Sequence, residues 1–278
     1  MTQSNWQQWS TEQLEREYSP SAVAPHFMDT IAQYQAMSAD ALAVPNQIVK
    51  VTYGLHPDEF ILVNPAKTGA AMLVFIHGGY WQELSARDSL FSAQAFGLRN
   101  VSWAAINYGL APDASLATMV ARCKSALTVL AQQYPQCRFV LAGSSAGAHL
   151  VASCLADQTL MQPLQSRIIG CVLLSGVYDL SPLVETYINK AVGLTKQTAV
   201  ALSPMTFSFN GAYPVLIALG ERETTEFKRQ SNDFASHLKN TLLSVQIKEI
   251  ADRDHFDIVF DLSDANTFIG QTILSWIG

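Results

Sequence analysis

Arg138–Leu150, RFVLAGSSAGAHL, runs from apolar and β-branched residues into the small-residue turn Gly143-Ser144-Ser145-Ala146-Gly147 and leaves it as a helix would. Strand, sharp turn, helix around G-x-S-x-G is the pattern of a nucleophile elbow, in which a strained turn lifts the central hydroxyl above the sheet. Glycines flank the serine because a Cβ at either place would meet neighbouring backbone. Ser145 is therefore the candidate nucleophile. The amide of Ala146, opening the helix, is a candidate donor to a developing oxyanion.

Working outward, the expected partner for that amide is an HGG-type loop after the third strand. Met72 to Ile76 is a continuous apolar run, as suits a strand buried on both faces, and it ends in His77-Gly78-Gly79-Tyr80-Trp81. The amide of Gly79, with that of Gly78 or Tyr80, would join Ala146 in an oxyanion hole. Helix 86–97, strand 101–108 and helix 115–134 are expected before the elbow. Strands 168–175, 213–219 and 244–250 and a last helix over 265–276 are expected after it. Alternation of this kind predicts an α/β fold with a mostly parallel, doubly wound sheet and helices on both faces. Two strand-like runs, 47–55 and 59–65, predict a hairpin at the sheet edge. Residues 1–42 read as a helical extension with a turn at Tyr18-Ser19-Pro20-Ser21, and about 179–209 as a small helical cap, all within a single domain over 1–278.

Acyl transfer needs a base, and the order nucleophile, acid, histidine places it late in the chain. Beyond the elbow helix stand His237, within a helical pattern, and His255, in a polar loop after the last strand, where α/β sites lie. His255 is the candidate base. The orienting acid is expected in Gly220-Glu221-Arg222-Glu223. Glu223 is preferred because three residues past the glycine the chain has cleared the strand, with Glu221 as the alternative. Asp252, Asp254 and Asp257 read as solvated or capping loop residues. Asn107, Tyr108 and His77 are expected to brace the HGG loop.

Composition narrows the field. Formal net charge is −6 without a Lys/Arg cluster, which argues against nucleic acid and anionic membrane as partners. The N-terminal stretch lacks a basic region followed by an apolar one, so no secretory signal is expected. Four cysteines, Cys123, Cys137, Cys154 and Cys171, sit in expected helices and strands at spacings that suit neither zinc nor CxxC chemistry. Reduced buried thiols and a cytoplasmic location follow. No cofactor or metal is called for, since no HExxH-like spacing occurs.

Several motifs together resemble the α/β-hydrolase superfamily and, within it, the kynurenine formamidase (arylformamidase) family near the hormone-sensitive-lipase-like esterases. They are Glu17-Tyr18-Ser19-Pro20-Ser21, His77-Gly78-Gly79-Tyr80-Trp81, Asn107-Tyr108-Gly109-Leu110-Ala111-Pro112, the elbow with Ala148-His149-Leu150, Gly176-Val177-Tyr178-Asp179-Leu180, Leu202-Ser203-Pro204, Glu226-Phe227-Lys228-Arg229-Gln230-Ser231 and Asp254-His255-Phe256-Asp257. The resemblance implies Ser145, Glu223 and His255 as nucleophile, acid and base, although relatives commonly carry aspartate at the acid. It also implies hydrolysis of N-formyl-L-kynurenine to kynurenine and formate through a formyl-serine. The alternatives are a carboxylesterase for short-chain or aryl esters and a silent hydrolase fold used for protein contacts. The expected partner is a small aromatic amide or ester, and a homodimer stays open as the assembly. Tyr80 and Trp81 are candidates to stack on an aromatic leaving group, Trp81 having the alternative of packing under the extension. Tyr18 is a candidate to reach over the mouth, with docking of the extension as its alternative.

Overall fold

A computed structural model describes residues 6–67, 70–241 and 243–278. Residues 1–5, the start of the expected extension, lie outside them. The strands are β1 (Val49–Thr52), β2 (Phe60–Asn64), β3 (Ala71–Ile76), β4 (Ser102–Ile106), β5 (Arg138–Ser144), β6 (Ile168–Leu174), β7 (Pro214–Arg222) and β8 (Ser244–Asp254). The helices are α1 (Thr11–Glu17), α2 (Phe27–Ala43), α3 (Ala93–Leu98), α4 (Leu116–Gln133), α5 (Ala146–Leu155), α6 (Gln158–Leu164), α7 (Asn189–Val192), α8 (Lys196–Ala201), α9 (Thr225–Lys239) and α10 (Phe268–Ile277).

The strands form one sheet in the order β1-β2-β4-β3-β5-β6-β7-β8. β1/β2 and β2/β4 are antiparallel, which gives the edge hairpin its place, and every other pairing is parallel. This is the α/β-hydrolase fold. The apolar run of β3 shows why both faces must be covered. Met72, Val74 and Ile76 enter a core shared with α4, α5 and α9, whereas Leu73 and Phe75 enter another shared with α2, α3 and α10. A strand so placed can carry no polar alternation. Trp103 of β4 anchors the second core, with Phe75 and Phe96 stacked on it at 5.6 and 5.4 Å.

Several boundaries differ from expectation, three of them for reasons visible in the structure. The segment expected as one helix over 86–97 is a 3-10 turn, Ala86–Asp88, and then α3. Side chains from elsewhere take the backbone between them: Trp103 Nε1 donates to Ser89 O and Leu90 N donates to Ser38 Oγ. Strands β7 and β8 run three and four residues past their expected ends, because the parallel ladder continues through a bulge at Gly220/Arg222 to the pair Arg222–Asp254. Their polar ends form an exposed corner of the sheet, where a ladder needs no apolar residues.

Between β6 and β7, residues 181–206 hold short 3-10 turns with α7 and α8. The four cysteines are free and buried. Cys137 stands in the turn before β5 rather than within an element. Burial pushes the Cys154 thiol up to about 12 and that of Cys137 up to about 11. Among the described residues no helix is long and apolar enough to cross a membrane.

Candidate active site

The elbow forms where β5 turns into α5. Ser145 sits at φ +55°, ψ −120°, a conformation that L-residues hold only when their surroundings enforce it. Its surroundings do so. A Cβ on Gly143 would lie 2.4 Å from Gly147 O, and one on Gly147 would lie 2.0 Å from Ile76 O. Helix, elbow strand and β3 are thus closer than any side chain permits. As the first residue of α5, Ala146 has no carbonyl four residues back in its helix, so its N–H is left unused by the helix ladder.

Beside the elbow runs the loop after β3. A Cβ on Gly78 would meet Ser144 O at 2.9 Å and Ser145 Cβ at 3.1 Å, so this loop touches the elbow through backbone alone. Gly79, Tyr80 and Trp81 are then left-handed in succession, at φ +88°, +47° and +61°, and Gly79 O accepts from the amides of Gln82 and Glu83. His77 and Tyr108 hold the loop from behind. Their rings stack at 4.3 Å, Tyr108 Oη donates to His77 O at 3.0 Å, and His77 Nδ1 lies 3.0 Å from Gly78 O. Burial depresses the His77 pKa to about 4, which keeps the imidazole a neutral strut at ordinary pH. Asn107 braces the following turn instead of the HGG loop, accepting from Ala86 N at 3.2 Å.

β7 and β8 bring the remaining groups to the same end of the sheet. Ser145 Oγ lies 3.0 Å from His255 Nε2, and His255 Nδ1 lies 3.1 Å from Glu223 Oε2. All three residues are buried. The carboxylate can only accept from Nδ1–H, which leaves the Nε2 lone pair for the serine hydroxyl. Glu223 Oε1 accepts from Gly220 N at 2.6 Å and from the hydroxyl of Ser175. This arrangement can draw a proton from an alcohol.

Glu221, the alternative acid, is exposed and accepts from Asp252 N, so it is turned away from the imidazole. Asp252 pairs with Arg222, and Asp254 caps the amides of Phe256 and Asp257. His237 Nε2 meets Phe207 O at 2.8 Å, and His149 Nε2 meets Leu202 O at 2.8 Å.

Two of the three expected substrate contacts are corrected by burial. Trp81 is 0 % exposed and stands edge-on to His149 at 5.2 Å; the left-handed run that swings Tyr80 outward turns the next ring into the core. Tyr18 is 1 % exposed. Its hydroxyl donates to Glu226 Oε1 at 2.6 Å and accepts from Gln230 Nε2 at 2.9 Å, so it docks the extension on α9. Tyr80 keeps surface, its hydroxyl tied to Tyr18 O at 2.7 Å.

Sequence reasoning missed Phe227, whose ring lies 4.4 Å from His255, and Ser175. The EF-x-RQS segment is the signal that points to the first. A serine ending a strand next to the expected acid loop is the signal for the second. Among the described residues no group of three or more His, Cys, Asp or Glu could hold a metal ion.

Residues 73–258 match a family profile described as alpha/beta hydrolase fold. Over its whole length the chain is similar to a kynurenine formamidase of Danio rerio, at 30% identity covering 99% of both chains. It is 29% identical to one of Salmo salar over the same shares. Among solved structures, esterase B of Lactobacillus rhamnosis shares the fold with a TM-score of 0.65 at 18% identity, over 92% of this chain and 93% of that one.

Proposed function

The chain belongs to the kynurenine formamidase family of α/β-hydrolase-fold proteins and is a hydrolase, and from this premise we propose that it cleaves the formyl amide of N-formyl-L-kynurenine to kynurenine and formate. The observation that carries the reading is the hydrogen-bonded row Ser145–His255–Glu223 beside the loop 78–80, in a chain that aligns end to end with formamidases.

In this reading His255 Nε2 takes the Ser145 proton as Oγ attacks the formyl carbon. The amides of Ala146 and Gly79, with Gly78 or Tyr80, hold the oxyanion, and each such donor contributes about 10²–10³ in rate. His255 then protonates the departing aryl amine, whose lone pair is delocalised into its ring, and water drawn against the same imidazole releases formate. Glu223 holds the imidazole in its Nδ1–H tautomer and stabilises the imidazolium. A formyl group offers almost no surface to grip, so recognition falls to the aromatic leaving group. The partly buried ring of Tyr80 supports a stacking contact there. The free, buried cysteines support a reducing, cytoplasmic setting.

The test compares kcat/KM for N-formyl-L-kynurenine with that for p-nitrophenyl acetate. A formamidase favours the anilide by about a hundredfold or more, roughly the discrimination that a site built around one leaving group achieves. Equal values, or preference for the ester, would make the protein a carboxylesterase using the same residues.

The acid is tested separately. Glu223→Gln keeps the shape but offers an amide where Nδ1–H must donate, and should lower kcat by about 10³–10⁴. Glu221→Gln should leave it within about twofold, since exposed side chains outside a site rarely matter. The reverse ranking would move the acid to Glu221.

A further inference from the structure

We propose that Ser175 is a positioning residue for this reaction, its hydroxyl fixing the Glu223 carboxylate in charge and orientation for His255; the proposal rests on the serine-hydrolase reading above. Ser175 directly follows β6 and is 0 % exposed. Its Oγ donates to Glu223 Oε1, the oxygen that also accepts from Gly220 N at 2.6 Å. Both donors grip one oxygen, which turns the other, Oε2, to His255 Nδ1 at 3.1 Å.

The backbone adds an independent reason. Ser175 lies at φ +49°, where a Cβ is disfavoured and glycine is not. Glycine would be the easier occupant of this turn, so the serine points to a use for the hydroxyl. The turn is itself anchored on both sides of the site. Ser175 N donates to Ala218 O at 2.9 Å, and the preceding carbonyl, Leu174 O, accepts from Ser145 N at 2.8 Å. Two consecutive residues therefore support the nucleophile and the acid.

The sign of the effect follows from charge. With His255 neutral and Glu223 ionised the pair carries one negative charge; taking up a proton makes it neutral overall. A hydroxyl donating to the carboxylate favours the uncompensated anion more than the ion pair. Without it the pair takes up its proton more readily, and the acid limb of the rate profile moves to higher pH. Tyr80 and Tyr178 also face Glu223, but burial holds both phenols neutral. Asp254, next to His255, is occupied by the amides of Phe256 and Asp257.

The experiment measures the rate of fluorophosphonate labelling of Ser145 across the histidine titration range in wild type, Ser175→Ala and Ser175→Gly, with thermal unfolding of each. This readout is independent of the natural substrate. Both variants should label about tenfold more slowly on the plateau, with the acid limb raised by about half a pH unit or more. Ser175→Gly should unfold at or above the temperature of Ser175→Ala, because both lack the hydroxyl and only glycine relieves the φ +49° backbone. Restoration of wild-type rate and profile by glycine would assign the role to the backbone and overturn the proposal. Identical rates and profiles in all three proteins would overturn it alone, whereas absence of labelling in wild type would overturn the serine-hydrolase reading as well.

Discussion

Ser145→Ala is expected to lower kcat for N-formyl-L-kynurenine by about six orders of magnitude, the scale on which a lone nucleophile removal acts in serine hydrolases. The fold should be almost indifferent. Alanine keeps the Cβ that the φ +55° turn already accommodates, and the side chain's recorded partner is His255 Nε2. Losing one such hydrogen bond costs about 1 kcal/mol, so Tm should stay within about 4 °C of wild type. Single-turnover kinetics with the formyl anilide, alongside calorimetry, separate the two effects. A variant keeping a hundredth of wild-type turnover would mean that the alcohol does not form the covalent bond.

His255→Ala should be equally damaging to turnover, and the double variant Ser145→Ala/His255→Ala no worse than either single one. Residues that act as a unit lose their joint contribution when any essential member goes. The structural cost is larger here. Glu223 Oε2 loses the donor it has at 3.1 Å, and Phe227, 4.4 Å from the imidazole, loses a packed neighbour. An orphaned buried acceptor costs about 1–3 kcal/mol. Turnover of single and double variants, normalised to folded protein, checks the prediction; multiplicative losses would show that the two side chains act independently.

The nucleophile turn and the HGG loop were legible in sequence because each is dictated by local sterics that only glycine relieves. The base followed from chain order, and the acid from the distance needed to clear a strand end. Facing was another matter. Tyr80 and Trp81 are adjacent aromatics after the same glycines, and only the left-handed run through residues 79–81 decides that one reaches the surface and the other the core. Tyr18 is settled by partners 208 and 212 residues away, which no local pattern can reveal. The break in the helix expected over 86–97 has the same origin, since Ser38 and Trp103 claim its backbone from other elements.

The extension fastens three separate loops. Tyr18 O takes the Tyr80 hydroxyl, Glu17 takes Thr224 Oγ1 and Glu226 N, and Tyr34 Oη donates to Phe256 O beside the imidazole. Residues 17–34 are synthesised some two hundred positions before 224 and 256, so the earlier-made segment waits on the ribosome for the later-made one. Competence to turn over substrate is therefore acquired late in translation, when both ends of this clasp have emerged and closed on each other.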